Sequence, residues 1–490
     1  MAIPLLSLMT LTPLAGALVL FAVPRERHGL IRAVALVAAG ISAAAAAAVF
    51  LGYDSSRAGF QFVERLPWLP QLGIDYALAV DGSSAVMVLL TGVVIVTGVL
   101  VSWRIDYRPK DFFALLLILV AGVYGVFCST DLFFFFFWYE VAVLPMYLLI
   151  AVWGSTNKEY GALKLTLMLV AGSILIWVGL LIVYAASGIN SFDLFRLQQV
   201  AFDPTTQSIA FLLFMIGFGV LAGMWPLHTW SPDGHVAAPT AVSMLHAGVL
   251  MKLGAFGILR IAMTLLPEGA RVWLPALLVL ATVNVIYGAL SAMAQRDLKY
   301  VVGYSSVSHM GYVLMGLASL SLVGTTGAVL QMFSHGIMTA LFFAMVGVIY
   351  DQAHTRDIRA FGGLIRTMPA VSILFILAGL ASLGLPGLSG FVAEVLVFSG
   401  LAQAQGWLFV ALAVVGVAIT ATYILRLIAR VFFGPPRGTS PALQEGSRLD
   451  VAAGAALAFF LIAVGLYPAP LLTPIVSSVL PIVRRLGGVE

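Results

Sequence analysis

Apolar runs of about 20 residues recur along nearly the whole chain, separated by short polar stretches, and that alternation predicts a bundle of membrane-crossing helices. Fourteen runs fall near 4–22, 30–51, 84–103, 112–129, 132–152, 164–186, 208–225, 238–262, 272–294, 300–319, 324–350, 370–400, 406–429 and 451–470. Two stretches interrupt the pattern. MWPLHTWSPDGHVAAP (224–239) sets three prolines, two histidines and an aspartate between apolar runs, and GLPGLSGF (384–391) breaks a run closely flanked by apolar residues. Proline and glycine in mid-span release backbone groups that hydrocarbon cannot satisfy, so such breaks persist only where protein or water lines them. For 224–239 a plain polar loop between two spans is the rival reading.

Composition gives the same class. With 61% hydrophobic and 9% charged residues among 490, the chain exceeds what a soluble core needs. A formal charge of +4 says nothing of nucleic acid, but its distribution is informative. Arginine and lysine gather in alternate loops: Arg25 and Arg27; Arg104, Arg108 and Lys110; Lys158; Arg296 and Lys299; Arg356, Arg359 and Arg366; Arg430, Arg437 and Arg448. The positive-inside rule makes those loops cytoplasmic and puts both termini outside. The first span has no basic region before it and is expected to stay in the membrane rather than be cleaved. Cys128 is the single cysteine, so neither an internal disulfide nor thiolate metal chemistry is expected. The inter-span stretches, 53–83, 187–207 and 430–450 being the longest, are too short for a core of their own.

An internal repeat is visible. Asp131 opens a span containing Glu140, and Pro226 follows 95 residues after that aspartate; Asp297 opens a span containing His309, and Pro386 follows after 89. An odd number of spans separates the two units, so the second runs inverted, a plan common in transporters.

A charge at the bilayer centre costs roughly 2.5–3.5 kcal/mol on insertion scales, so each one present is a functional candidate. Glu140 sits mid-span in DLFFFFFWYEVAVLPMYLLI, Lys252 sits mid-span in AVSMLHAGVLMKLGAFGILR, and Glu394 lies eight residues past Pro386. His228, His246, His309 and His335 lie at or near membrane depth, where imidazole can receive a proton on one nitrogen and release it from the other. Together these make a proton relay the leading chemistry. Spacing supports no metal set, because His228 and His235 are seven apart with no completing ligand. His246 and Lys252, six apart, stand about 240° apart on a regular helix and face different partners. Lys164 and Lys299 are near the starts of their spans, where snorkelling competes with a relay role. His28, His235 and His354 are expected in loops.

The stretches PLHTWSPDGHVAAPTAVS, AGVLMKLGAFGILR, DLKYVVGYSSVSHMGY and GLPGLSGFVAE resemble the antiporter-like subunits of respiratory complex I, a family of proton-conducting membrane transporters, and among them most of all subunit M. The likeness runs from about Asp131 to Glu394. It implies an all-α polytopic fold of about 14 transmembrane helices, with two inverted five-helix repeats and breaks in helices 7 and 12 at Pro226 and Pro386. Four segments follow: 1–130 holding helices 1–4, within which the first repeat begins; 131–270, the rest of that repeat; 271–432, the inverted repeat; and 433–490, the C-terminal loop, helix 14 and tail.

The resemblance also implies a proton relay of Glu140, Lys164, Lys252, His335 and Glu394, with His309 as a secondary member; His228, His246 and Lys299 are secondary candidates by their own position in the chain. Glu394 stands where subunit M has an acid and subunits L and N have lysine. One position departs from the family. Its helix-7 lysine falls on Leu221, five residues before Pro226, so Glu140 loses its usual partner unless Lys164 reaches it. His246 also replaces an apolar residue. The implied function is proton translocation as a subunit of a complex I type NAD(P)H, or other donor, quinone oxidoreductase in the bacterial inner membrane. This chain would do no redox catalysis and bind no cofactor or metal; NAD(P)H, FMN, Fe–S clusters and quinone would sit on partner subunits, alongside L-like and N-like neighbours. Three alternatives stay open: a subunit of a multi-subunit Na+/H+ antiporter, a ferredoxin- or hydrogenase-linked relative, and a conduction-impaired structural homologue.

Overall fold

A computed structural model describes residues 4–57, 59–438 and 440–489. Thirteen of its helices are long and apolar enough to cross a membrane. Leu298–Ala318 runs antiparallel among them but is too polar for that count, and the twelfth crossing is split into Pro369–Ser382 and Ser389–Ala404. One of the thirteen, Ala469–Leu486, does not cross. Its residues bond Ser83, Gln198 and Arg271, and Val489 just beyond it bonds Leu320, all at helix ends on one face of the bundle. It is a strap across that face, and fourteen crossings remain. The C-terminal stretch, where a tail is expected, is therefore helical.

Aspartates start several spans by accepting backbone N–H groups that a helix end leaves unpaired. Asp81 caps Gly82–Val101, Asp131 caps Leu132–Trp153, Asp203 caps Pro204–Ala222 and Asp297 caps Leu298–Ala318. Two of these caps mark the inverted repeat. Leu132 N–H donates to Phe192 O and Leu194 N–H to Thr130 O; in the second unit Leu298 N–H donates to Arg356 O and Ile358 N–H to Arg296 O. The same two-bond clasp therefore recurs on opposite faces, five crossings apart.

The stretch after the second span forms a hairpin, β1 (Gln61–Leu69) and β2 (Ile74–Val80), on the strap's face. It has no core of its own. Glu64 accepts the Leu6 and Ser7 N–H groups, Arg65 pairs with Asp75 and Asp193, and Ala77 O accepts from Thr130.

Three expectations change. The sixth span starts at Lys158, which puts Lys164 a turn and a half inside it. The eighth, Thr240–Met263, is not a regular helix, since His246–Leu250 and Ile258–Met263 are π-helical. His235 lies in no loop but in a short helix, Trp230–Ala237, and is fully buried.

Candidate functional site

Both breaks are built, not accidental. Span 7 ends at Ala222, Gly223 takes a left-handed conformation (φ 73°), and the chain resumes as Trp230–Ala237. Asn284 on the ninth span meets the freed backbone by accepting from Trp225 N–H (2.6 Å) and donating to Gly223 O (3.2 Å). Trp230 Nε1 donates to Val220 O at 2.9 Å. In the second break Gly384 and Gly387 have positive φ, and Leu385 N–H reaches Leu380 O. A side chain on Gly384 would meet the Glu394 carboxylate, since a Cβ there lies 2.6 Å from Oε2.

Between the breaks four spans contribute one contiguous buried series. Lys252 Nζ lies 2.8 Å from His335 Nδ1 and also donates to Ala247 O, within the π-helical turn. The His335 and His309 rings stack with centroids 5.3 Å apart. His309 Nδ1 is 3.6 Å from Glu394 Oε1, and its Nε2 pairs with Ser382 Oγ at 3.0 Å. None of the four is more than 4% exposed. A lysine, two imidazoles and a carboxyl in this order can pass a proton with no redox partner in the chain.

The other sequence-predicted residues lie apart from that series. Glu140 is half-buried on the bundle's outer surface, sharing a helix face with exposed Phe137, Leu144 and Leu148; its Oε1 has no partner among the described residues. Lys164 does not reach Glu140. It pairs with Asp233 on the broken helix at 2.7 Å, and Tyr300 donates to the same carboxylate at 3.0 Å. His228 stands over Tyr287, with no hydrogen-bond partner for either ring nitrogen among the described residues. Lys299 donates to Ala238 O at 2.6 Å rather than snorkelling, and is 2% exposed. His246 faces Trp230 and His235, whereas Lys252 faces His335, so the two do turn to different partners. Leu221 is fully buried.

Sequence reading missed four groups: Asp233, His235, and the buried pair Arg260 and Asp81. Arg260 pairs with Asp81, donates to Ser84 Oγ and stacks over Phe60 and Phe256. An arginine within an apolar span was the available signal for that pair. Among the described residues no three His, Cys, Asp or Glu side chains form a metal-binding group, and Cys128 is a buried free thiol. An Fe–S cluster would find no ligand set here.

Residues 129–420, more than half the chain, match the transmembrane family of NADH:quinone oxidoreductase and Mrp antiporter subunits. The chain is 38% identical over 474 residues to NAD(P)H-quinone oxidoreductase chain 4 2 of Thermosynechococcus vestitus, covering 95% of this chain and 89% of that one. Against chain 4 of Gloeobacter violaceus it is 37% identical, covering 95% and 90%. A chain of respiratory complex I from Thermus thermophilus superimposes with a TM-score of 0.90 at 28% identity, covering 99% of this chain and all of that one. A chain of the Mrp complex from a Dietzia species shares the fold (TM-score 0.87, 23% identity, full coverage of both). This chain belongs to the NADH:quinone oxidoreductase/Mrp antiporter transmembrane family, as an antiporter-like subunit of the complex I kind.

Proposed function

We propose that the chain translocates protons as a membrane subunit of a complex I type NAD(P)H:quinone oxidoreductase. The observation that carries this reading is the buried series Lys252, His335, His309 and Glu394, running from the eighth span to the second half of the broken twelfth. Lys252 hands its proton to His335 Nδ1, His335 releases one from Nε2, which has no partner among the described residues, through a water to His309, and His309 Nδ1 passes one to Glu394. Moving one charge against 100 mV costs roughly 2.3 kcal/mol, a scale that charge changes among close buried groups can meet.

Redox groups belong to partners. NAD(P)H, FMN, Fe–S clusters and quinone would be held on other subunits, and the drive would arrive as a change in charge or conformation at one end of the relay. L-like and N-like membrane subunits are the expected neighbours. Glu140, half-buried beside exposed apolar side chains and with Oε1 unpartnered among the described residues, would meet one of them. Lys164 acts through Asp233 at the first break. The setting is a bacterial inner membrane with both termini outside, by the loop charges.

The rival reading is a subunit of a multi-subunit Na+/H+ antiporter, favoured by the fold shared with the Mrp complex. Gentle detergent extraction of the tagged chain from its own membranes separates them. Co-purifying flavin and Fe–S subunits, identified by mass, support the redox-driven pump; only small membrane subunits, or none, overturn it.

A further inference from the structure

The relay needs a supply for Lys252, and this chain does not build one from Glu140. Glu140 is held by Ser173 on a half-buried face, Leu221 stands where the family resemblance implies a lysine, and Lys164 is committed to Asp233. A different approach is present on the face opposite the strap. A cavity of about 280 Å³ opens there among the ends of five spans, lined by Asp106, Trp153, Thr240, Lys299, Tyr350 and Asp351.

Lys299 is the innermost charged group of that cavity. Its Nζ donates to Ala238 O and lies 3.4 Å from Ser243 Oγ, which in turn donates to His235 O at 2.9 Å. His235 and His246 come next. Both are fully buried, their ring centroids are 4.2 Å apart, and all four ring nitrogens lack a hydrogen-bond partner among the described residues. Buried imidazoles are rarely left so, and water is the partner small enough to reach them. Trp230 and Phe343 wall the pair at 5.1 and 5.3 Å. The π-helical turn that begins at His246 ends immediately before Met251, and Lys252 bonds back into it at Ala247.

We propose that His235 and His246 form the proton intake of this chain, carrying protons from the Lys299 cavity to Lys252. Lys299 gives a proton to a water, one imidazole takes it, and its other nitrogen passes a proton on through the second ring to Lys252; nothing is oxidised or reduced. The inference rests on Lys252 being the hub of the relay in the function proposed above.

The test compares isosteres in the intact assembly, in inverted membrane vesicles, with proton uptake and quinone reduction measured together. Gln and Glu have nearly the same shape, but only Glu carries a proton. His246→Gln is expected to lower proton uptake per electron by about 10-fold or more, and His246→Glu to recover most of it. His235→Gln and His235→Glu repeat the comparison should the first pair fail to assemble. A purely structural role would leave Glu no better than Gln, and that result overturns the proposal. Lys252→Ala separates the two ideas: if it abolishes uptake while His246→Gln and His235→Gln pump normally, the intake is wrong and the hub stands. If Lys252→Ala pumps normally, both fall.

Discussion

Replacing Asn284 by leucine removes the side chain that holds the first break open. Asn284 is fully buried and meets two backbone groups that the break has freed, Trp225 N–H and Gly223 O, besides donating to Val307 O at 2.8 Å. Val307 lies within a continuous helix, so its carbonyl keeps a helical partner; the other two do not. Leaving a part-buried donor and a buried acceptor unsatisfied costs up to about 1–3 kcal/mol each, or roughly 2–6 kcal/mol together at most. The leucine returns little, because lipid is as apolar as the protein interior. Cys128 supplies the assay, being the chain's only thiol and fully buried. Its alkylation during heating of the purified assembly, followed by mass spectrometry, reports when this chain opens. Asn284→Leu is expected to lower the half-alkylation temperature by on the order of 5 °C. Thr282→Ala on the same helix is the control, since its hydroxyl bonds only within its own helix. Equal midpoints for the two variants would refute the reasoning.

Three shorter predictions follow from other parts of the molecule. Gly384→Ala is expected to cut coupled proton uptake several-fold without loss of assembly, because the added methyl meets Glu394 Oε2 in a left-handed turn; uptake at the normal rate would separate the break from the carboxyl. Arg260→Met alone leaves Asp81 buried and unpaired and is expected to destabilise the chain by about 3–5 kcal/mol. Adding Asp81→Asn should restore much of this in the same alkylation assay, and no restoration would mean that the pair is not the cause. Leu221→Met, which nearly conserves volume, is expected to leave uptake unchanged; a clear loss would show that this position acts in the relay as more than apolar filling.

The crossings were legible because twenty-residue apolar runs have few other uses, and the two breaks because proline and glycine fall together inside them. Lys252, His335, His309 and Glu394 were each visible as polar groups at apolar depth. Their order was not, since it depends on four spans meeting. The sequence left open whether Lys164 reaches Glu140, and the broken helix brings Asp233 to it instead, a partner 69 residues away. His235 read as a loop residue because eight residues beside two prolines give no helical period. The π-helical turns were hidden for a related reason, as a span buried all round has no polar face to show an extra residue. The strap Ala469–Leu486 has the composition of a crossing, and only its bonds to helix ends on one face reveal that it lies flat.

Glu394→Gln tests the central claim most directly, because it keeps the size of the side chain at the end of the buried series and removes its ability to carry a proton. In inverted vesicles driven by electron donor, with proton uptake and quinone reduction recorded on the same preparation, uptake per electron should fall by about 10-fold or more. Wild-type uptake per electron in this variant would contradict the relay.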